Sequence, residues 1–268
     1  MFGSTFYHGL IRKYVSLFGT LFNDIYINRP DDTHHEIKTV KVPVTYGPKE
    51  KVLARLTADP TLSRKPAVVL PFISFQISDI SYDGSRKLNS IGKRYKKDSN
   101  DANKIYYNYN PVPYNITFTL SILVKNTDDG NRIVEQILPY FTPEWTATVE
   151  LIPEMDIRMD IPIVLNDVRM TDTYEGNFEE RRTIEWDLTF TVKGYLFGPQ
   201  HHAGIIKFAN SAIFNSLTSN TQLSNITVAP GMFANGSPTG NSAATVSSNL
   251  IFPDDTFGYI VQYTEPGT

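Results

Sequence analysis

The sequence predicts an α+β fold: a mainly antiparallel, twisted β-sheet with a few flanking helices, followed by an extended C-terminal arm. Three observations carry this. Apolar and polar residues alternate over 114–124 and 183–193, the period of strands with one dry face. Two other stretches repeat their apolar residues at three- and four-residue steps, as helix faces do. After residue 200 charge nearly vanishes, while Ser, Thr, Asn and Gly crowd the chain.

The elements follow in order. At the N-terminus Phe6, Leu10, Tyr14, Leu17, Phe18 and Leu21 line one helix face. Gly9 and Gly19 weaken that helix, each costing about 1 kcal/mol against alanine in a helix interior. The aromatic stripe packs into a core or, on a sharper reading, against another subunit. A short strand at 25–28 precedes a longer one at 37–46, where Pro43 favours an edge or a bulge. GPKEKVLARL then reads as a helix, with Pro48 in its first turn and Val52, Leu53 and Leu56 on one side. The stretch 71–82 is a strand with Ile73, Phe75 and Ile77 on one face and Ser74, Gln76 and Ser78 on the other.

Between 114 and 124 the dry face is Tyr114, Ile116, Phe118, Leu120, Ile122 and Val124. Asp129-Gly130 could open a hairpin. Ile133/Ile137 and Val134/Leu138 instead repeat at four residues, so the chain turns into a helix that Pro139 ends. Three strands follow at 147–152, 156–170 and 181–197, with 172–180 as a polar hairpin loop. The last places Ile184, Trp186, Leu188, Phe190 and Val192 opposite Thr183, Glu185, Asp187, Thr189, Thr191 and Lys193. This order gives an α+β domain over 1–200. Residues 201–268 are too poor in charge for a solvated tail and read as an arm lying on its own or a partner's surface.

The bulk numbers exclude several classes. Net charge is −3, which points to neither a nucleic-acid binder nor a strongly acidic surface. With no cysteine there is no disulfide framework, thiolate metal site or cysteine nucleophile, which suits a reducing compartment. Arg12 and Lys13 interrupt the apolar N-terminus and no apolar run approaches bilayer length, so a soluble, cytoplasmically made protein without a membrane partner is expected.

Residues equipped for chemistry are scarce. No phosphate-binding loop, dinucleotide fingerprint, nucleophile elbow or HExxH occurs. His34-His35 and His201-His202 are adjacent pairs, which on a strand point to opposite faces and do not grip one ion. Asp156/Asp160 and Glu179/Glu180 are read as solvated strand-end and loop carboxylates, and NTDDGN lacks a twelfth-position calcium ligand. The sequence therefore predicts no enzyme, no cofactor and no metal. One stretch rises above background: 85–107 holds Arg86, Lys87, Lys93, Arg94, Lys96, Lys97 and Lys104 among three tyrosines. It reads as a solvated hairpin loop, as a contact for an acidic protein surface, or as a stacking and charge platform for nucleic acid.

Four pieces together resemble a known family: FYHGLIRKYVSLFGTLFNDIYINR, VKVPVTYGPKE, YNPVPYNITFTLSILV with IVEQILPYF behind it, and RRTIEWDLTFTVKGYLFGP. They are similar to the tail sheath stabiliser and completion (tail terminator) proteins of contractile-tailed bacteriophages, in the same order and over residues 1 to about 199. The resemblance implies a non-enzymatic virion protein, assembled in the host cytoplasm into a homo-hexameric ring at the head-proximal end of the tail. Such a ring touches the tail sheath protein and the tube terminator, and offers the neck and head-completion proteins a docking surface. DNA passes through it without specific binding, and the seven basic residues become lumen or acidic-partner contacts. The arm is expected to dock on a neighbouring subunit or tail partner, by strand addition. An accessory nucleic-acid-binding module built on 85–107 is the alternative.

Overall fold

The computed structural model describes residues 5–30, 37–51, 70–98, 100–173, 183–216 and 219–265. Its first elements are α1 (Leu10–Leu21), β1 (Tyr26–Pro30), β2 (Ile37–Lys41), β3 (Val44–Tyr46), β4 (Phe72–Tyr82), β5 (Lys93–Lys97), β6 (Lys104–Tyr109) and β7 (Val112–Val124). After α2 (Thr127–Ile137) come β8 (Glu144–Ile152), β9 (Ile157–Thr173), β10 (Thr183–Leu196), β11 (His201–Gly204), β12 (Ala209–Ser216), β13 (Ser219–Gly231) and β14 (Gly258–Thr264). The α+β class and the mainly antiparallel sheet stand as the sequence predicts. Among the described residues no helix is long and apolar enough to cross a membrane.

The chain divides into two compact units, 1–89 with 111–197, and 90–110 with 198–268. The first is built on a six-stranded sheet of order β3-β4-β7-β10-β9-β8, in which only β3 and β4 run parallel. β7 and β10 pair without a break from Ile184↔Val124 to Leu196↔Val112. That register sets Trp186 opposite Ile122, Leu188 opposite Leu120 and Phe190 opposite Phe118, so the two dry faces merge into one apolar surface.

Helix α1 covers that surface with its aromatic stripe. The Phe18 ring stacks on Phe118 at 4.5 Å between centroids and meets Phe75 and Phe190 at 5.3 Å each. Phe22 extends the cluster to Phe190 and Phe141. Gly19 in α1 and Gly130 in α2 are sites of close approach. A Cβ on Gly19 would stand 2.9 Å from the Phe75 ring, and one on Gly130, inside α2, 2.8 Å from the Trp186 indole nitrogen. Both trade helix propensity for tight packing.

Several expectations shift in detail. The helix begins at Leu10, after Gly9, so Phe6 lies outside it. The stretch 37–46 splits at Val42-Pro43: β2 pairs with β1 in a separate ribbon, and β3 joins the large sheet. In β4 the alternation fails, because Phe72 to Phe75 are all buried and the register shifts between Ile77 and Asp79. Val52, Leu53 and Leu56, and most of the loop at 172–180, lie outside the described residues.

The second unit differs more. Residues 201–268, expected as an extended arm, carry four hydrogen-bonded strands. β11 completes a three-stranded sheet of order β11-β6-β5, so the segment 90–110 belongs with the C-terminal residues, not with the first unit. β12, β13 and β14 form another three-stranded sheet. Lys207 ties these pieces down: its Nζ donates to Ser248 O at 2.5 Å and Ile251 O at 2.9 Å, and burial lowers its pKa. Of the buried apolar side chains described, only Ala102, Ile251 and Ile260 belong to this unit. Ile206, Phe208, Leu250, Tyr259, Val261 and Tyr263 are exposed instead. Backbone pairing, more than a core, holds it together.

Candidate assembly surfaces

The seven basic residues singled out in the sequence are divided between the two units. Arg86 and Lys87 belong to the first unit, the other five to the second. Arg86 is turned into its own sheet. Its Nε meets Asp83 Oδ2 at 2.7 Å, while its Nη atoms donate to the carbonyls of Lys193 and Tyr114 and to Asn115 Oδ1. Hydrogen bonds from Ser85 and Arg86 hold the Asp83 carboxyl well below the usual range. This arginine clamps strands together.

The five of the second unit sit on the β5–β6 hairpin. Lys97 pairs with Asp254 at 2.5 Å and Lys104 with Asp101 at 3.1 Å. Lys93 Nζ lies 4.6 Å from the Tyr107 ring centre and 5.2 Å from that of Tyr109, both cation–π contacts. Tyr95, Tyr107 and His201 are cross-strand neighbours on one face, with Tyr107 stacked on His201 at 5.3 Å. Lys87, Arg94 and Lys96 make no ion pair among the described residues. His201 and His202 alternate to opposite faces, as strand geometry requires.

The face of the large sheet away from α1 carries a charge cluster that the sequence placed on a polar strand face without a partner. Lys49 is ion-paired with Glu185 and, at 3.0 Å, with Asp187. Asp187 also accepts from Ser121 Oγ at 2.5 Å. Burial raises the Glu185 pKa and outweighs the lysine beside it. Burial also pushes Asp187 upward, but the hydrogen bonds from Ser121 and Lys49 win and hold it below its ordinary value. Lys49 stands 136 residues from Glu185, so no local pattern could reveal the pair.

The other singled-out carboxylates stay apart. Asp160 accepts from Thr148 Oγ1 at 2.6 Å, and exposed Asp156 lies 3.6 Å from Arg158 Nε. Asp128 and Asp129 of NTDDGN are bound by Arg132 and Arg29, at 2.7 Å and 2.5 Å. His34, His35, Glu179 and Glu180 lie outside the described residues.

A third surface is the edge of the large sheet at β8. Lys13, on α1, donates from Nζ to the carbonyls of Glu150 and Leu151 at 3.1 Å and 2.7 Å. An open groove of about 620 Å³ runs between α1 and this edge, lined by Arg12, Ser16 and Leu17 on one side and Thr148, Val149 and Glu150 on the other.

Ion pairs that lock strands, open sheet edges and exposed apolar strands describe a structural body whose surfaces are its output. Comparison with known proteins gives that class its particular member. Over residues 5–249 the chain matches the T4-like virus Myoviridae tail sheath stabiliser family, and it belongs to that family. It is also similar to the tail completion protein gp15 of Enterobacteria phage T4, with 34% identity over 215 residues, 77% of each chain. The chain is thus a structural protein of the virion tail. The match continues well past residue 199, where the resemblance visible in the sequence stops, and takes in β11 to β13.

Proposed function

We infer that six copies of this chain form a ring at the head-proximal end of a contractile tail. The ring holds the last sheath subunits and the tube terminator, and gives the neck of a filled head its docking surface. Family membership along most of the chain supports this reading. A ring needs a heterologous contact, in which one surface of each copy meets a different surface of the next. The sheet of the first unit and the weakly cored strands of the second supply surfaces of different kind. No catalytic step is assigned. DNA passes through without specific binding, with Lys87, Arg94 and Lys96, which make no ion pair among the described residues, turned to the lumen or an acidic partner. The alternative of a nucleic-acid-binding module loses much of its charge, because Arg86, Lys97 and Lys104 are ion-paired within the chain.

Light scattering on the full chain, alone and mixed with tail tubes and sheaths, tests the reading. The expected result is a species of six times the chain mass that co-elutes with the sheathed tube. A monomer under both conditions overturns it.

A further inference from the structure

We propose that the open edge of β8 pairs with β14 of a second copy, joining the large sheet of one subunit to the C-terminal sheet of the next. This deepens the ring reading by naming its contact.

A long, unguarded sheet edge invites another strand, and proteins that stay monomeric blunt such edges with brevity, lysines, proline or bulges. Most described edges here are blunted in those ways. β3 has three residues and β11 four. β5 carries Lys93, Arg94, Lys96 and Lys97. β12 breaks register twice against β13. In the β1–β2 ribbon, β2 bears Lys38 and Lys41, and β1 ends at Pro30 after Arg29. Two edges are left open over most of their length. β8 runs nine residues with neither lysine nor proline, regular from Glu144 to Glu150 with one register shift at its end, between Glu150 and Ile152, and β14 runs seven with no charge at all.

β8 turns backbone groups outward in the way pairing needs, and β14 turns apolar side chains to solvent. Leu165 N donates to Pro143 O, so by antiparallel alternation the peptide groups of Glu144, Thr146, Thr148 and Glu150 point away from β9. Thr146 sits opposite Pro162, which has no N–H to give, in accord with that phase. Lys13 takes the outward carbonyl of Glu150, and no described residue takes those of Glu144, Thr146 or Thr148. On β14, Tyr259, Val261 and Tyr263 lie at alternate positions and are exposed. Carried onto β8, they gain cover beside Trp145, Ala147 and Val149. The first charge beyond β14 is Glu265, and the groove beside β8 offers Arg12 and Lys13. The contact joins unlike surfaces, as ring closure requires.

The absence of native cysteine makes the test clean. Ala147→Cys, on the β8 face that would meet these β14 side chains, is mixed under mild oxidation with Tyr259→Cys, Val261→Cys or Tyr263→Cys, each on the otherwise intact full chain. Neighbouring strands place Cα atoms about 4.5–5.5 Å apart, within disulfide reach. At least one mixture is expected to give a covalent dimer that neither variant gives alone. In parallel, Thr146→Pro removes one outward N–H and leaves the β9 ladder intact. It is expected to weaken self-association at least tenfold, with an unchanged circular dichroism spectrum. A six-copy species that forms no mixed disulfide overturns the pairing and leaves the ring standing. A chain that stays monomeric at every concentration, alone and with sheathed tubes, overturns both, and an Ala147→Cys homodimer overturns the unlike-edge geometry.

Discussion

Phe18→Ala lowers the stability of the first unit by about 3–5 kcal/mol, the cost of emptying a large aromatic site in a packed core. Phe18 has no exposed surface and lies within reach of four other rings. Those rings come from Phe22, just past α1, and from β4, β7 and β10, so the vacated space cannot close without moving elements that are themselves paired. Global stabilities are about 5–15 kcal/mol, so this one change removes a large share. Denaturant unfolding should show the midpoint falling with little change in slope. Thermal unfolding should move down by about 10 °C. Phe18→Leu should lose much less, because it keeps most of the volume. An alanine variant as stable as the parent would mean that the aromatic cluster is not the core of the unit.

Tyr14→Phe has the second-largest expected effect, and it acts through hydrogen bonding. The Tyr14 hydroxyl donates to Tyr195 O at 2.7 Å and accepts from Tyr195 N at 2.8 Å, in a fully buried setting. The ladder between β9 and β10 ends at Val192↔Ile163, and this side chain serves the backbone beyond that point. Phenylalanine leaves a buried donor and acceptor unpaired, at a cost of about 1–3 kcal/mol. The same group makes stability pH-dependent. Burial raises its pKa from 10.0 to about 12. The unfolded chain therefore gives up this proton first. Tyr14 contributes fully below about pH 10, and its contribution is lost as pH rises towards 12, by about 2–3 kcal/mol. The difference in stability between parent and Tyr14→Phe should shrink over that window. A constant difference from pH 8 to 12 would contradict the burial argument.

The first unit was legible in the sequence because its strands are amphipathic. A dry face of Ile, Phe and Leu against a wet face of Thr, Glu and Lys writes period two directly, and β7 and β10 were read almost to the residue. The second unit was not legible, for the converse reason. Its strands bury few apolar side chains and carry Ser, Thr and Asn on both faces, so β11 to β14 looked like an arm. The pairing of His201 to Gly204 with β6, with the Lys97–Asp254 ion pair, shows that 90–110 belongs there. The assembly surfaces were legible as composition and not as geometry. Seven cations in one stretch are easy to see, but Asp83, Asp101 and Asp254 take three of them. In the opposite sense, Lys49 with Glu185 and Asp187, and Lys13 on the β8 edge, depend on distant residues that no local spacing connects.

The central claim is that this chain finishes the tail as a six-membered ring built by contact of unlike surfaces. Electron cryo-microscopy of intact virions tests it most directly. The account predicts six copies in one ring between the last sheath layer and the neck, each copy's large sheet meeting the C-terminal sheet of its neighbour. Density for this chain elsewhere in the virion, or at that junction without six-fold order, would contradict it.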